Sequence, residues 1–133
     1  MWTNLLDNVC IKALYGDKVP ALDNIDLVMV KIHPSCLTVQ LNLFDMPAPI
    51  PKRWIEKGYN ACSCTLDIYS KTNQLTYKST NLNISQYTQM SMSISAETDG
   101  KKRVEIRDST NNVFIDVVAD GIHGMIGGIN RKA

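Results

Sequence analysis

Leu37, Val39, Leu41 and Leu43 alternate with Thr38, Gln40 and Asn42, and Cys62, Cys64, Leu66 and Ile68 alternate with Ala61, Ser63, Thr65, Asp67 and Tyr69. A strand turns successive side chains to opposite faces, so each run predicts one face in a core and one in water. Between the runs stand Pro47, Pro49 and Pro51, which fix φ and remove three amide donors. Neither a helix nor a central strand passes through them. The segment from Pro47 to Asn60 must therefore cross the surface, where it delivers Trp54 and Tyr59 beside Lys52, Arg53 and Lys57.

The same grammar extends along the chain. Ile25 to His33 carries apolar residues on both faces, which predicts a strand buried on both sides at its centre and paired in a hairpin with the Leu37 run. Beyond Tyr69, a polar turn at Ser70 to Asn73 leads into a partner strand, Leu75 to Lys78, and Ser79 to Asn83 reads as a loop. Within Ile84 to Ser95, Met90, Met92 and Ile94 oppose Ser91, Ser93 and Ser95, so the methionines fill core space and the serines face water. Asp99-Gly100 predicts a hairpin into Arg103 to Arg107, and Asp108 to Asn112 turns into Val113 to Ala119. The tail from Gly121 to Ile129 holds four glycines and predicts either a bent, bulged last strand or a loop packed on the sheet.

Only Trp2 to Gly16 carries a helical stripe, with Gly16 as its C-cap. About eight short strands joined by tight polar turns leave no place for crossover helices. The expected fold is mostly β, an antiparallel β-sandwich or a strongly curved, partly closed sheet, with a short N-terminal helix or turn. At 133 residues and 44% hydrophobic content, residues 1–133 are expected to form a single domain.

A net charge of +1 with 20% charged residues lacks the basic field of a nucleic-acid binder. No apolar run approaches the roughly 18 to 20 residues of a membrane span, and the N-terminus lacks a basic, then apolar, leader. A cytoplasmic location is expected, so Cys10, Cys36, Cys62 and Cys64 read as reduced thiols packed like small hydrophobes. Cys62-x-Cys64 fits neither redox nor zinc spacing and, on a strand, turns both thiols inward. His33 and His123 are the only histidines, and Ser35-Cys36 near His33 has neither an elbow glycine pattern nor an acidic orienter. Gly121 to Gly128 matches no phosphate-binding pattern, so backbone bulging accounts for its glycines. No catalytic, cofactor or metal residue is assigned, and the chain reads as a non-enzyme. Lys101-Lys102-Arg103 reads as a solvated hairpin tip. Trp54 is expected to plug the sheet edge with its indole N–H on a loop carbonyl, which leaves Arg53, Lys57 and Tyr59 for contact with a partner.

The order of landmarks carries a further signal. Trp2, Leu14-Tyr15-Gly16, Pro20-Ala21-Leu22, a hydrophobic hairpin and Pro47-x-x-x-Pro51-x-x-Trp54 before the second strand pair resemble the immunity protein 50 family of bacterial polymorphic toxin systems. The landmarks lie mainly between Trp2 and Leu66. What the resemblance implies is a small cytoplasmic antidote that binds and neutralises a cognate toxin by stoichiometric protein–protein inhibition, without a cofactor. The implied partner is a toxin protein rather than nucleic acid or a membrane, and the expected state is a monomer or weak dimer. The alternative is a non-catalytic small-molecule or carbohydrate-binding β-sandwich that stacks ligands on Trp54, Tyr59 and Tyr69.

Overall fold

A computed structural model of the chain describes residues 1–71, 76–79 and 88–130. In chain order its strands are β1 (Asp26–Ile32), β2 (Cys36–Leu43), β3 (Ala61–Tyr69), β4 (Thr76–Ser79), β5 (Ser91–Ala96), β6 (Lys102–Arg107), β7 (Val113–Ala119) and β8 (Gly121–Ile129). They form two four-stranded sheets, ordered β1-β2-β3-β8 and β4-β7-β6-β5, with every ladder antiparallel. Two joins between the sheets lie within the described residues. Ile25 and Met90 exchange backbone bonds of 2.8 and 2.9 Å, tying the approach to β1 onto β5, and Asp120 alone separates β7 from β8. The result is the mostly β architecture of antiparallel sheets around one apolar cluster that the alternating runs predict, and it is not closed.

The alternation decides which faces are buried. Leu37, Val39, Leu41 and Leu43 on β2, with Cys62, Cys64, Leu66 and Ile68 on β3, are each no more than 1% exposed. Met90, Met92, Val104, Ile106, Ile115 and Val117 belong to the same apolar cluster from the side of the second sheet. Ser93 and Ser95 are exposed, so the methionine and serine faces of β5 divide as expected. Gly100 lies at φ 74° between β5 and β6, a conformation that costs glycine little.

The N-terminal stretch forms a 3₁₀ turn, Trp2–Leu5, and a helix α1 (Cys10–Tyr15) that buries Ile11 and Tyr15 and stops where Gly16 takes φ 62°. A second short helix, α2 (Lys52–Glu56), was not expected beyond that first stripe. It starts immediately after Pro51, whose fixed φ suits the N-cap and whose missing amide would have had no helical partner.

Four expectations are corrected. β1 is an edge strand, with Val28, Met29 and Ile32 at 52, 40 and 54% exposure, because β2 occupies only one of its sides and a register shift at Val28 turns the ladder. An apolar run reads alike whether its second face meets a core or a partner. β4 pairs with β7 rather than β3, whose two edges are already taken by β2 and β8. The Pro47–Asn60 segment therefore links neighbouring strands β2 and β3 instead of crossing between hairpins. The tail is the last strand, as one alternative expected, but without a bulge: β8 holds an unbroken register with β3 over nine residues. The start of the expected partner strand at Leu75, most of the expected loop up to Asn83 and the first residues of the methionine run lie outside the described residues.

Candidate functional site

Three of the four glycines of β8, Gly121, Gly124 and Gly128, are spaces for other side chains. A Cβ on Gly128 would lie 2.4 Å from Tyr59 Cδ2 and 2.9 Å from Trp54 Cδ2, so both aromatic rings rest on this backbone. A Cβ on Gly124 would lie 2.7 Å from Ile11 Cδ1, and one on Gly121 would enter the space of Asp7 and the Tyr69 hydroxyl, which donates a hydrogen bond to the Asp7 carboxylate. Close approach of neighbours, not bulging, is what these positions require.

Trp54 and Tyr59 meet edge to face, with centroids 6.3 Å apart and planes at 74°. Gly58 at φ 67° turns the chain back after α2, Tyr59 N–H donates to Trp54 C=O at 3.0 Å, and Asn60 N–H donates to Ile129 C=O at 3.0 Å. Trp54 packs against the core as the expected plug. The indole N–H on a loop carbonyl, however, belongs to Trp2, which donates to Pro20 C=O at 2.9 Å. Tyr69 stands opposite Gly121, at the other end of β8 from the ring pair at Gly128. The three aromatics therefore do not share one flat stacking face.

This anchored loop presents Lys52, Arg53 and Lys57 to solvent. Lys57 Nζ lies 5.8 Å from the Tyr59 ring centre. Among the described residues, none of the three cations forms an ion pair. Arg53, Lys57 and the half-buried Tyr59, the residues expected to contact a partner, thus come together on one anchored turn beside the end of β8.

The basic residues of the β5–β6 hairpin are placed differently. Arg103 forks onto Asp116 at 2.9 and 2.6 Å and lies 3.1 Å from Glu105, while Arg107 reaches Glu105 at 2.7 Å. Lys102 lies 3.8 Å from Asp7, and Lys101 4.0 Å from Asp120. The hairpin tip is ion-paired rather than simply solvated, because the strand register sets Glu105 opposite Asp116 within reach of Arg103.

One contributor escaped sequence reasoning. The Asn8 carboxamide accepts from Gly124 N–H at 2.9 Å and donates to Gly124 C=O at 2.6 Å, as a strand residue would. Asp7 N–H donates to Ile122 C=O at 2.7 Å, and Cys10 Sγ, exposed rather than packed inside, donates to Gly124 C=O at 2.8 Å. An Asp-Asn pair before a short helix reads as capping, and nothing in its spacing announces a partner at the far end of the chain.

Thiol and phenol chemistry is muted by burial. Tyr15 donates to Asp45 C=O at 2.8 Å and to Cys62 Sγ at 3.1 Å, and burial holds its phenol well above the ordinary range. Burial likewise raises Cys62 and pushes Cys64 up to about 12, so both stay protonated and weakly nucleophilic near neutrality. His33 closes the turn after β1, its N–H donating to Cys36 C=O at 2.8 Å. His123 is exposed on β8 opposite Asp67, which accepts from Thr38 Oγ1 at 2.7 Å. Among the described residues, no three His, Cys, Asp or Glu side chains converge on a metal-sized site, and no helix is long and apolar enough to cross a membrane.

Comparison with known proteins gives one match. A family model described as Immunity protein 50 matches residues 7–123, which include both helices and strands of both sheets and run well past Leu66. No curated protein and no solved structure matches the chain.

Proposed function

The chain belongs to the immunity protein 50 family, and we propose that it is the cytoplasmic antidote of a bacterial polymorphic toxin, neutralising that toxin by stoichiometric binding rather than by catalysis. The family match over residues 7–123 carries this reading. In it, residues 1–133 act as one domain, a monomer or weak dimer when free, and the toxin is the partner. Inhibition of this kind needs a rigid surface of about 800 Å² per partner, held in place before contact so that little ordering entropy is lost on binding. The turn at α2 is suited to that role. Trp54 and Tyr59 fix its backbone against Gly128, so Arg53 and Lys57 project from an anchored base. Arginine and tyrosine are among the residues that concentrate interface energy.

Co-expression tests the reading. Cells carrying a candidate cognate toxin domain are expected to grow only when the chain is also made, and the two proteins are expected to co-purify. Continued killing with no co-purification would contradict it.

A further inference from the structure

β8 is the outer strand of its sheet, and its backbone groups alternate between facing β3 and facing outward. Gly124 N–H and C=O face outward, since both bond to Asn8, and Ile122 C=O faces outward to Asp7. The two-residue period puts the N–H and C=O of Ile126 and Gly128 on the same outward side. Ile129, one residue out of phase, faces β3 and accepts from Asn60. Among the described residues, the outward groups of Ile126 and Gly128 have no partner. One half of this edge is closed by the Asn8 clamp and the other is open.

Sheet edges are normally blunted. The edge of β5 meets Ile25 and Leu22 through the Met90 and Met92 backbone groups. The outer side of β1 pairs with no strand among the described residues, and the extra residue at Val28 breaks the even spacing that a partner strand would follow. β8 keeps its register with β3 unbroken, so its outward groups remain evenly spaced. Beside its open half, α2 presents Lys52, Arg53 and Lys57 against the single carboxylate of Glu56, with Ile55 exposed at 63% among them.

We propose that an acidic, extended segment of the toxin adds as a fifth strand along the open half of β8, between Ile126 and Ile129, with its carboxylates beside Arg53 and Lys57. Main-chain bonds to Ile126 and Gly128 supply affinity, and the cations of α2 select an acidic strand over other extended chains. This inference rests on the antidote reading of the same surface.

The test is amide hydrogen exchange on the chain, free and mixed with a detoxified form of a candidate cognate toxin domain. The amides of Ile126 and Gly128 are expected to gain at least about tenfold protection in the complex, as amides entering a ladder do. Arg53→Glu with Lys57→Glu is expected to weaken binding at least about 30-fold. Ile126→Pro removes one outward donor, and its melting temperature reports whether it still folds. A complex that forms with wild type but leaves Ile126 and Gly128 unprotected, or protects β1 instead, overturns the strand addition and spares the antidote reading. No complex with wild type overturns both.

Discussion

Lys101, Lys102, Arg103 and Arg107 on the β5–β6 hairpin each lie within 4.0 Å of a carboxylate, whereas Lys52 and Arg53 on α2 and Lys57 at its C-cap reach none among the described residues. Local sequence does not separate the two groups, since both hold lysine and arginine side by side. Register does. A cation on a sheet face has cross-strand and diagonal neighbours at fixed distances, and Asp116 and Glu105 occupy those places for Arg103. A five-residue helix offers only one neighbour a turn away, and Lys52 with Glu56 is in the poorer orientation of that pair. The hairpin's charges are engaged within the fold, and those of α2 remain available to another molecule.

The sharpest way to break this contrast is to reverse each side separately. Arg53→Glu with Lys57→Glu is expected to cut toxin affinity at least about 30-fold in a titration while leaving the melting temperature unchanged. Asp116→Asn is expected to do the opposite, with a small drop in melting temperature and unaltered affinity.

The next largest effect concerns the seat of α2. Gly128→Val drives a side chain into Trp54 and Tyr59, and is expected to cost about 1–3 kcal/mol in denaturant unfolding. It should also weaken toxin binding although both cations remain. Unchanged stability would mean that the rings move aside freely and that α2 is not anchored as described.

Asn8→Ala removes the clamp on the closed half of β8. It leaves Gly124 N–H without its partner and Gly124 C=O with only the Cys10 thiol, for an expected cost of about 1–2 kcal/mol and faster exchange of the Gly124 amide. Toxin affinity should hold, because the open half is untouched.

The smallest effect is a pH dependence confined to turns near the paired side. Backbone N–H bonds from Asn112 to Asp108 and from Lys71 to Asp120 hold both carboxyls below the usual value of 3.8. A carboxyl lowered in the fold adds stability above its unfolded value and loses it as pH falls through the folded one. Melting temperature should therefore decline below about pH 4, and Asp108→Asn with Asp120→Asn should flatten that decline while the α2 variants do not.

Much of the fold was legible because alternation is a local property. Leu37 to Leu43, Cys62 to Ile68 and the methionine run announce their buried faces without reference to any neighbour. Pairing is not local, so the sequence could not say that β4 joins β7 or that β3 receives β8. β1 pairs with β2 as expected, but its exposed face could not be told from a buried one for the same reason. The candidate site was half visible: Trp54 and Tyr59 beside Arg53 and Lys57 stand out as interface chemistry on a proline-bounded loop. Their seat on Gly128 was hidden by about seventy residues of intervening chain, and the bond from Asn8 to Gly124 by a separation of 116 positions. A glycine that makes room for a distant ring has the same sequence signature as one that bends the backbone.

The most direct test is a calorimetric titration of the purified chain with a candidate cognate toxin domain, repeated with the Arg53→Glu, Lys57→Glu double variant and with Asp116→Asn. The expected result is a saturable one-to-one complex that the first variant abolishes or weakens at least about 30-fold and the second leaves intact. A complex that ignores the loss of Arg53 and Lys57 but fails with Asp116→Asn would contradict it.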